Sequence, residues 1–168
     1  AYFLDLKIQP MEHLTLNPYL VHVNDVFTGA GFKADYEYPS GLGITAHYAA
    51  SDVDVAGESD GSILHLELRG TLGDVALSGG FINTDATAGT GHLDDLGENI
   101  NPLEDGNQVY TADAQTLYIG AEYGIGKHTL GAMYGNTDYA GSAEEREFDL
   151  SASYDLADVV ENLSLNFV

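Results

Sequence analysis

Ionisable residues two positions apart recur along the sequence: Asp5 with Lys7; Lys33, Asp35 and Glu37; His65, Glu67 and Arg69; Glu147 with Asp149. His47 and Glu122 stand singly in similar surroundings. A spacing of two puts side chains on the same side of an extended strand. A side carrying such charges must meet water, and acids arrayed along it would concentrate cations and repel anions. His47 and His65 could face each other across neighbouring strands and bind a transition metal; a packed or water-facing pair accounts for the same residues. The acidic runs SDVDVAGESDG and HLDDLGENINPLEDG suggest calcium ligands, but neither fits a full twelve-residue cation loop. No cofactor is therefore expected, calcium in these loops being the alternative. GxSxG, HExxH, GxxxxGK and CxxC are absent, and no helix follows the glycines of GAGFKADYEY, so neither catalysis nor nucleotide binding is expected.

The 168 residues hold 27 Asp and Glu against five Lys and Arg, a net charge of −22. That balance argues against nucleic acid, which is held by basic contacts to phosphate. There is no cysteine, hence no disulfide and no thiolate chemistry. No run of about 18 apolar residues is present, which excludes a membrane-spanning helix. It does not exclude spanning strands, which need only about 9–11 residues and an apolar surface on one side.

Period-two alternation predicts ten strands: 2–9, 14–24, 28–38, 42–51, 62–72, 75–84, 115–124, 128–138, 145–156 and 162–168. Their apolar sides, such as Leu64, Leu66 and Leu68, Leu117 and Ile119, or Phe148 and Leu150, contain no acid, lysine or arginine. Tyr36, Tyr38, Tyr123 and Tyr154 fall where strands enter short turns, as a girdle at a lipid–water boundary would. Short connections at 10–13, 39–41, 73–74, 125–127 and 157–161 alternate with the acidic segments 52–61, 85–114 and 139–144; the short 25–27 breaks the pattern. Pro18 lies inside the second strand and predicts a bulge or a break. Loops sorted by end in this way predict an antiparallel transmembrane β-barrel, with 1–168 forming a single segment that carries a long loop at 85–114. If the short turns face the periplasm, the chain starts and stops at the other end, which predicts a piece of a larger barrel of about 16–18 strands.

The segment EEREFDLSASYDLADVVENLSLNFV at 144–168 resembles the penultimate hairpin of OprD-like outer-membrane porins. NPLEDGNQVYTADAQTLYIGAEYGIGKHTLGAMYGNTDY before it resembles that family's long loop and hairpin, in the style of the major porins of campylobacter-like bacteria. The resemblance implies a bacterial outer-membrane channel, monomeric or a homotrimer, that passes small hydrophilic solutes. OprD-like porins guide carboxylates with a ladder of arginines. Here Arg69 and Arg146 are the only arginines, so small cations are the expected solutes, with Lys33 and Arg69 as counter-charges. The competing expectation is an acidic soluble or surface-attached β-sandwich, a binding or adhesion module with calcium-binding loops. The two differ in what covers the apolar side of the strands: lipid, or a second sheet.

Overall fold

The computed structural model describes residues 1–55, 59–90, 100–141, 143–155 and 164–167. Among them every regular element is a strand: β1 (Tyr2–Asp5), β2 (Ile8–Met11), β3 (Leu14–Val23), β4 (Phe27–Glu37), β5 (Gly43–Val53), β6 (Gly61–Leu72), β7 (Val75–Thr84), β8 (Gln115–Ile125), β9 (His128–Tyr139), β10 (Ala143–Asp155) and β11 (Ser164–Phe167). They form one antiparallel sheet in which each strand pairs with its neighbour in the chain, β1 and β2 both lying beside β3. From β4 to β10 each strand has 10 to 13 residues, enough to cross the hydrocarbon layer at a barrel's tilt.

Two expectations are corrected. The first predicted strand is divided into β1 and β2, giving eleven strands where ten were expected. The disturbance expected at Pro18 falls on this neighbour, because β3 itself passes through Pro18 in unbroken register with β4, Pro18 opposite Phe32. The Pro18 carbonyl accepts the Leu6 N–H at 3.1 Å, so the donor that proline lacks would have faced the first strand. Asn17 substitutes for it, its Nδ2 donating to the Leu6 carbonyl at 2.9 Å. Asn17→Ala should therefore fray the edge by about 1 kcal/mol, seen as faster amide exchange across residues 2–11 with little change in β5–β9. The second correction concerns 139–144: β9 and β10 stay paired to Tyr139 opposite Ala143, which reduces the expected loop to a tight turn with Gly141 at φ 82°.

One face of the sheet is apolar and open. Phe32, Leu66, Leu68, Leu117, Ile119, Leu130, Phe148 and Leu150 lie on it and are all exposed, Leu117 and Ile119 to 63%. Each such side chain forgoes about 1.5–3 kcal/mol by remaining in water, and soluble monomers rarely leave so wide an apolar patch uncovered. Among the described residues no second sheet covers it, as the sandwich alternative would require.

The opposite face carries the long loop. Ile100, Leu103 and Val109 pack with Ile63, Ile82 and Tyr118 of the strands into a buried cluster. The loop is tied at its base: the Asp113 N–H donates to the Asp85 carbonyl at 2.8 Å and the Ala114 N–H to Thr84 Oγ1 at 2.8 Å. The Asp85 carboxylate caps the first turn, accepting the Thr87 hydroxyl at 2.6 Å and the Thr87 N–H at 2.8 Å. These bonds, the hydroxyl first, hold its carboxyl below the usual aspartate range.

Candidate functional site

The loop-bearing face concentrates the charges. Gly43 on β5 leaves room for the Arg69 side chain, which lies 2.7 Å from where a Cβ there would sit. Arg69 thus crosses β5 to reach β4, within 3.3 Å of Glu37 and 3.7 Å of Asp35, with Glu67 of its own strand at 3.5 Å. Its Nη1 donates to Thr45 Oγ1 at 2.5 Å, and that hydroxyl donates to Asp35 Oδ1 at 2.6 Å. Lys33 stands 3.5 Å from Asp35. Both expected counter-charges are therefore engaged by neighbouring acids.

His47 and His65 are direct cross-strand partners, buried to 2% and 8% exposure. Each meets a tyrosine from two strands away. Tyr19 on β3 lies over Gly31 of β4 and its hydroxyl is 2.9 Å from His47 Nε2. Tyr118 on β8 lies over Gly80 of β7 and its hydroxyl is 2.7 Å from His65 Nε2. Tyr118 donates its proton to Glu67 Oε2 at 2.6 Å, so His65 Nε2–H must be the donor to Tyr118. With both Nε2 atoms engaged, the pair is placed as packed histidines. Among the described residues no three His, Asp or Glu side chains form a metal-holding group. Residues 56–58 and 92–99 of the acidic runs lie outside the described residues.

The β10 acids face the loop. Glu147 accepts the Asp105 N–H at 2.7 Å and the Gly106 N–H at 2.8 Å, one on each oxygen. Glu145 accepts the Gln108 N–H at 3.0 Å, and Asp149 the Glu104 N–H at 3.3 Å. Between this loop and the short-turn end of the face lies a recess of about 520 Å³. Its floor is mostly small residues, including Gly43, Gly120, Gly131, Ser78 and Ser151, and its charged lining is Glu37, Glu104, Glu122, Asp149 and Arg69.

Of the other expected residues, Asp5 shares this face and accepts a hydrogen bond from Asn17, while Lys7 falls in the break between β1 and β2. Tyr36 and Tyr38 pack edge to face with ring centroids 4.7 Å apart. With Tyr123 and Tyr154 they lie on the open face, at the ends of strands that enter the short turns. Tyr154 is opposite His128, and their rings are 4.7 Å apart. Arg146 lies on the open face too, beside Glu144 at 2.6 Å, which leaves Arg69 as the arginine of the loop-bearing face. Sequence reading missed Glu145, although it continues the two-residue spacing of Glu147 and Asp149. It also missed Ile100, Leu103 and Val109, whose spacings of three and six in a polar segment signal an apolar anchor.

A meandering sheet with an open apolar face, strands long enough to cross a bilayer and a loop on the charged face is the wall of an outer-membrane β-barrel, here an open segment of it. The family profile of Gram-negative porins matches residues 17–161, and the chain belongs to that family; its place is the bacterial outer membrane. The fold is also that of solved Occ porins. Over 98% of this chain it superposes on Acinetobacter baumannii OccAB4 (TM-score 0.81, 14% identity, 46% of that chain). Pseudomonas aeruginosa OpdQ gives a TM-score of 0.82 at 16% identity over 98% of this chain and 49% of that one. Pseudomonas aeruginosa OccK5 (OpdH) gives 0.77 at 18% identity over 98% and 50%. The chain thus spans about half the length of these structures. No curated protein matches it by sequence. The expected OprD-like relationship and all-β barrel fold hold.

Proposed function

We propose that the complete protein forms a water-filled channel for passive diffusion of small hydrophilic solutes, favouring cations. Solutes would pass between the inward loop and the wall, through the recess. One observation carries the cation preference: four carboxylates and one guanidinium line the recess, and that guanidinium is itself surrounded by Asp35, Glu37 and Glu67. A narrow water-filled space with fixed negative charge attracts cations and repels anions. The engaged Arg69 also gives a carboxylate solute little free positive charge to bind.

The test is the reversal potential of the full-length protein in a planar bilayer under a potassium chloride gradient. A cation-side potential is expected. Arg69→Gln should increase the cation-to-anion permeability ratio severalfold, and Glu122→Gln should lower it. An anion-side potential in the wild type would overturn the preference, and absence of any conductance would overturn the channel. Homotrimeric assembly is a separate proposal resting on the resemblance, and cross-linking in detergent reads the copy number.

A further inference from the structure

We propose that Glu147 is a positioning residue that latches the long loop to the channel wall and so sets the aperture. The inference rests on reading the loop-bearing face as that wall. Glu147 is not a free lining charge, because each of its oxygens receives a backbone N–H from the loop, at 2.7 and 2.8 Å. Successive N–H groups around a left-handed residue form a concavity that binds an anion. Gly106, at φ 46°, supplies that residue, and a Cβ on it would run into the Asn101 side chain. The anion in the concavity is a side chain of β10. Hydrogen bonds to a charged acceptor are about twice as strong as neutral ones, and Glu145 adds another at Gln108.

A second device holds the same segment independently. Leu103 occupies the space above Gly135 on β9, where a Cβ would come within 2.5 Å of Leu103 Cδ1. Leu103 is buried there. The middle of the loop is therefore fastened to β9 and β10, while its base is fastened between β7 and β8. Loosening either fastening frees the middle while the base stays closed, which widens the passage without unfolding the sheet.

The latch separates two properties that lining acids usually share. Glu122 lines the recess and makes no hydrogen bond to the loop among the described residues, so it acts on selectivity. Glu147 directs its charge to loop amides, so it acts on aperture. The experiment uses full-length protein in planar bilayers with Glu147→Ala, Glu147→Gln, Gly135→Ala, the double variant of Glu147→Ala with Gly135→Ala, and Glu122→Gln. Exclusion size is read by liposome swelling with neutral sugars of increasing size, and folding by heat-dependent migration on gels.

Glu147→Ala should shift the loop from docked to released by about tenfold, the factor set by about 1.4 kcal/mol. Larger conductance, flicker between two levels and entry of larger sugars should follow. Glu147→Gln keeps one acceptor oxygen and should fall between. Gly135→Ala should match Glu147→Ala, and the double variant should shift the loop further than either, because two independent fastenings of one element add. The relative effect on permeability ratio should be small for Glu147→Ala and large for Glu122→Gln. Wild-type conductance, flicker and exclusion size in folded Glu147→Ala would overturn the latch; if that variant does not fold, the same result in Glu147→Gln and Gly135→Ala together would do so. A change confined to permeability ratio would also overturn it. A wild type that conducts nothing would fault the channel reading instead.

Discussion

Leu66→Arg is expected to lower the unfolding free energy by about 2–4 kcal/mol, the penalty for a guanidinium at mid-depth on the lipid side of a barrel. Leu66 lies near the middle of β6, in a cross-strand row with Phe81 and Leu117, and all three point to the open face. The same arginine at Ala76, on the loop-bearing face, should change stability by no more than about 0.5 kcal/mol, as for an ordinary surface site. Denaturant unfolding from lipid vesicles measures both. Equal small effects at the two positions would mean that the apolar face does not contact hydrocarbon, and the channel reading would go with it.

Gly31→Ala should cost about 2–4 kcal/mol, combining overpacking with the loss of a buried hydrogen bond. A Cβ at residue 31 would sit 2.1 Å from Tyr19 Cζ, forcing the ring off its strand-crossing path and away from His47. Gly80→Ala should behave alike, since its Cβ would fall 2.4 Å from the Tyr118 hydroxyl. Gly124 provides the control: it too is in a strand, nothing lies within 4 Å of its Cβ position, and Gly124→Ala should be close to neutral. Thermal or denaturant unfolding of the three variants checks the ranking. Pairing Gly31→Ala with Tyr19→Ala should recover part of the loss, because the ring that clashes is then gone. Equal costs at Gly31 and Gly124 would show that the cost comes from glycine entropy and not from the overlying ring.

The alternation of Leu64, Leu66 and Leu68 with His65, Glu67 and Arg69 was enough to assign both faces of β6, and similar alternation located most of the sheet. It works because strand geometry has a fixed period and needs no knowledge of neighbours. The lining residues were legible by face and not by partner. Glu37, Glu67 and Glu147 look equivalent in sequence, yet one meets Arg69, one also receives the Tyr118 hydroxyl, and one holds loop amides. These differences come from which residues the register sets side by side. Gly31, Gly43 and Gly80 likewise look like ordinary strand glycines, because the side chain that needs each space belongs to another strand. The turn after β9 was misjudged for a local reason: Gly141 and the acidic Glu144 look like loop residues, but Arg146 on the open face pairs with Glu144 and Asn136 and lets both strands run on.

The loop between β7 and β8 is clasped by β10, and those clasping contacts join residues 37 to 45 positions apart. A chain that adds hairpins in order would complete β7 and β8 while the loop's docking partner had yet to arrive. On the proposed channel reading, narrowing of the conduit would be deferred to a late stage of assembly, after the β9–β10 hairpin has joined the sheet, and half-built intermediates would be wider and leakier than the finished wall.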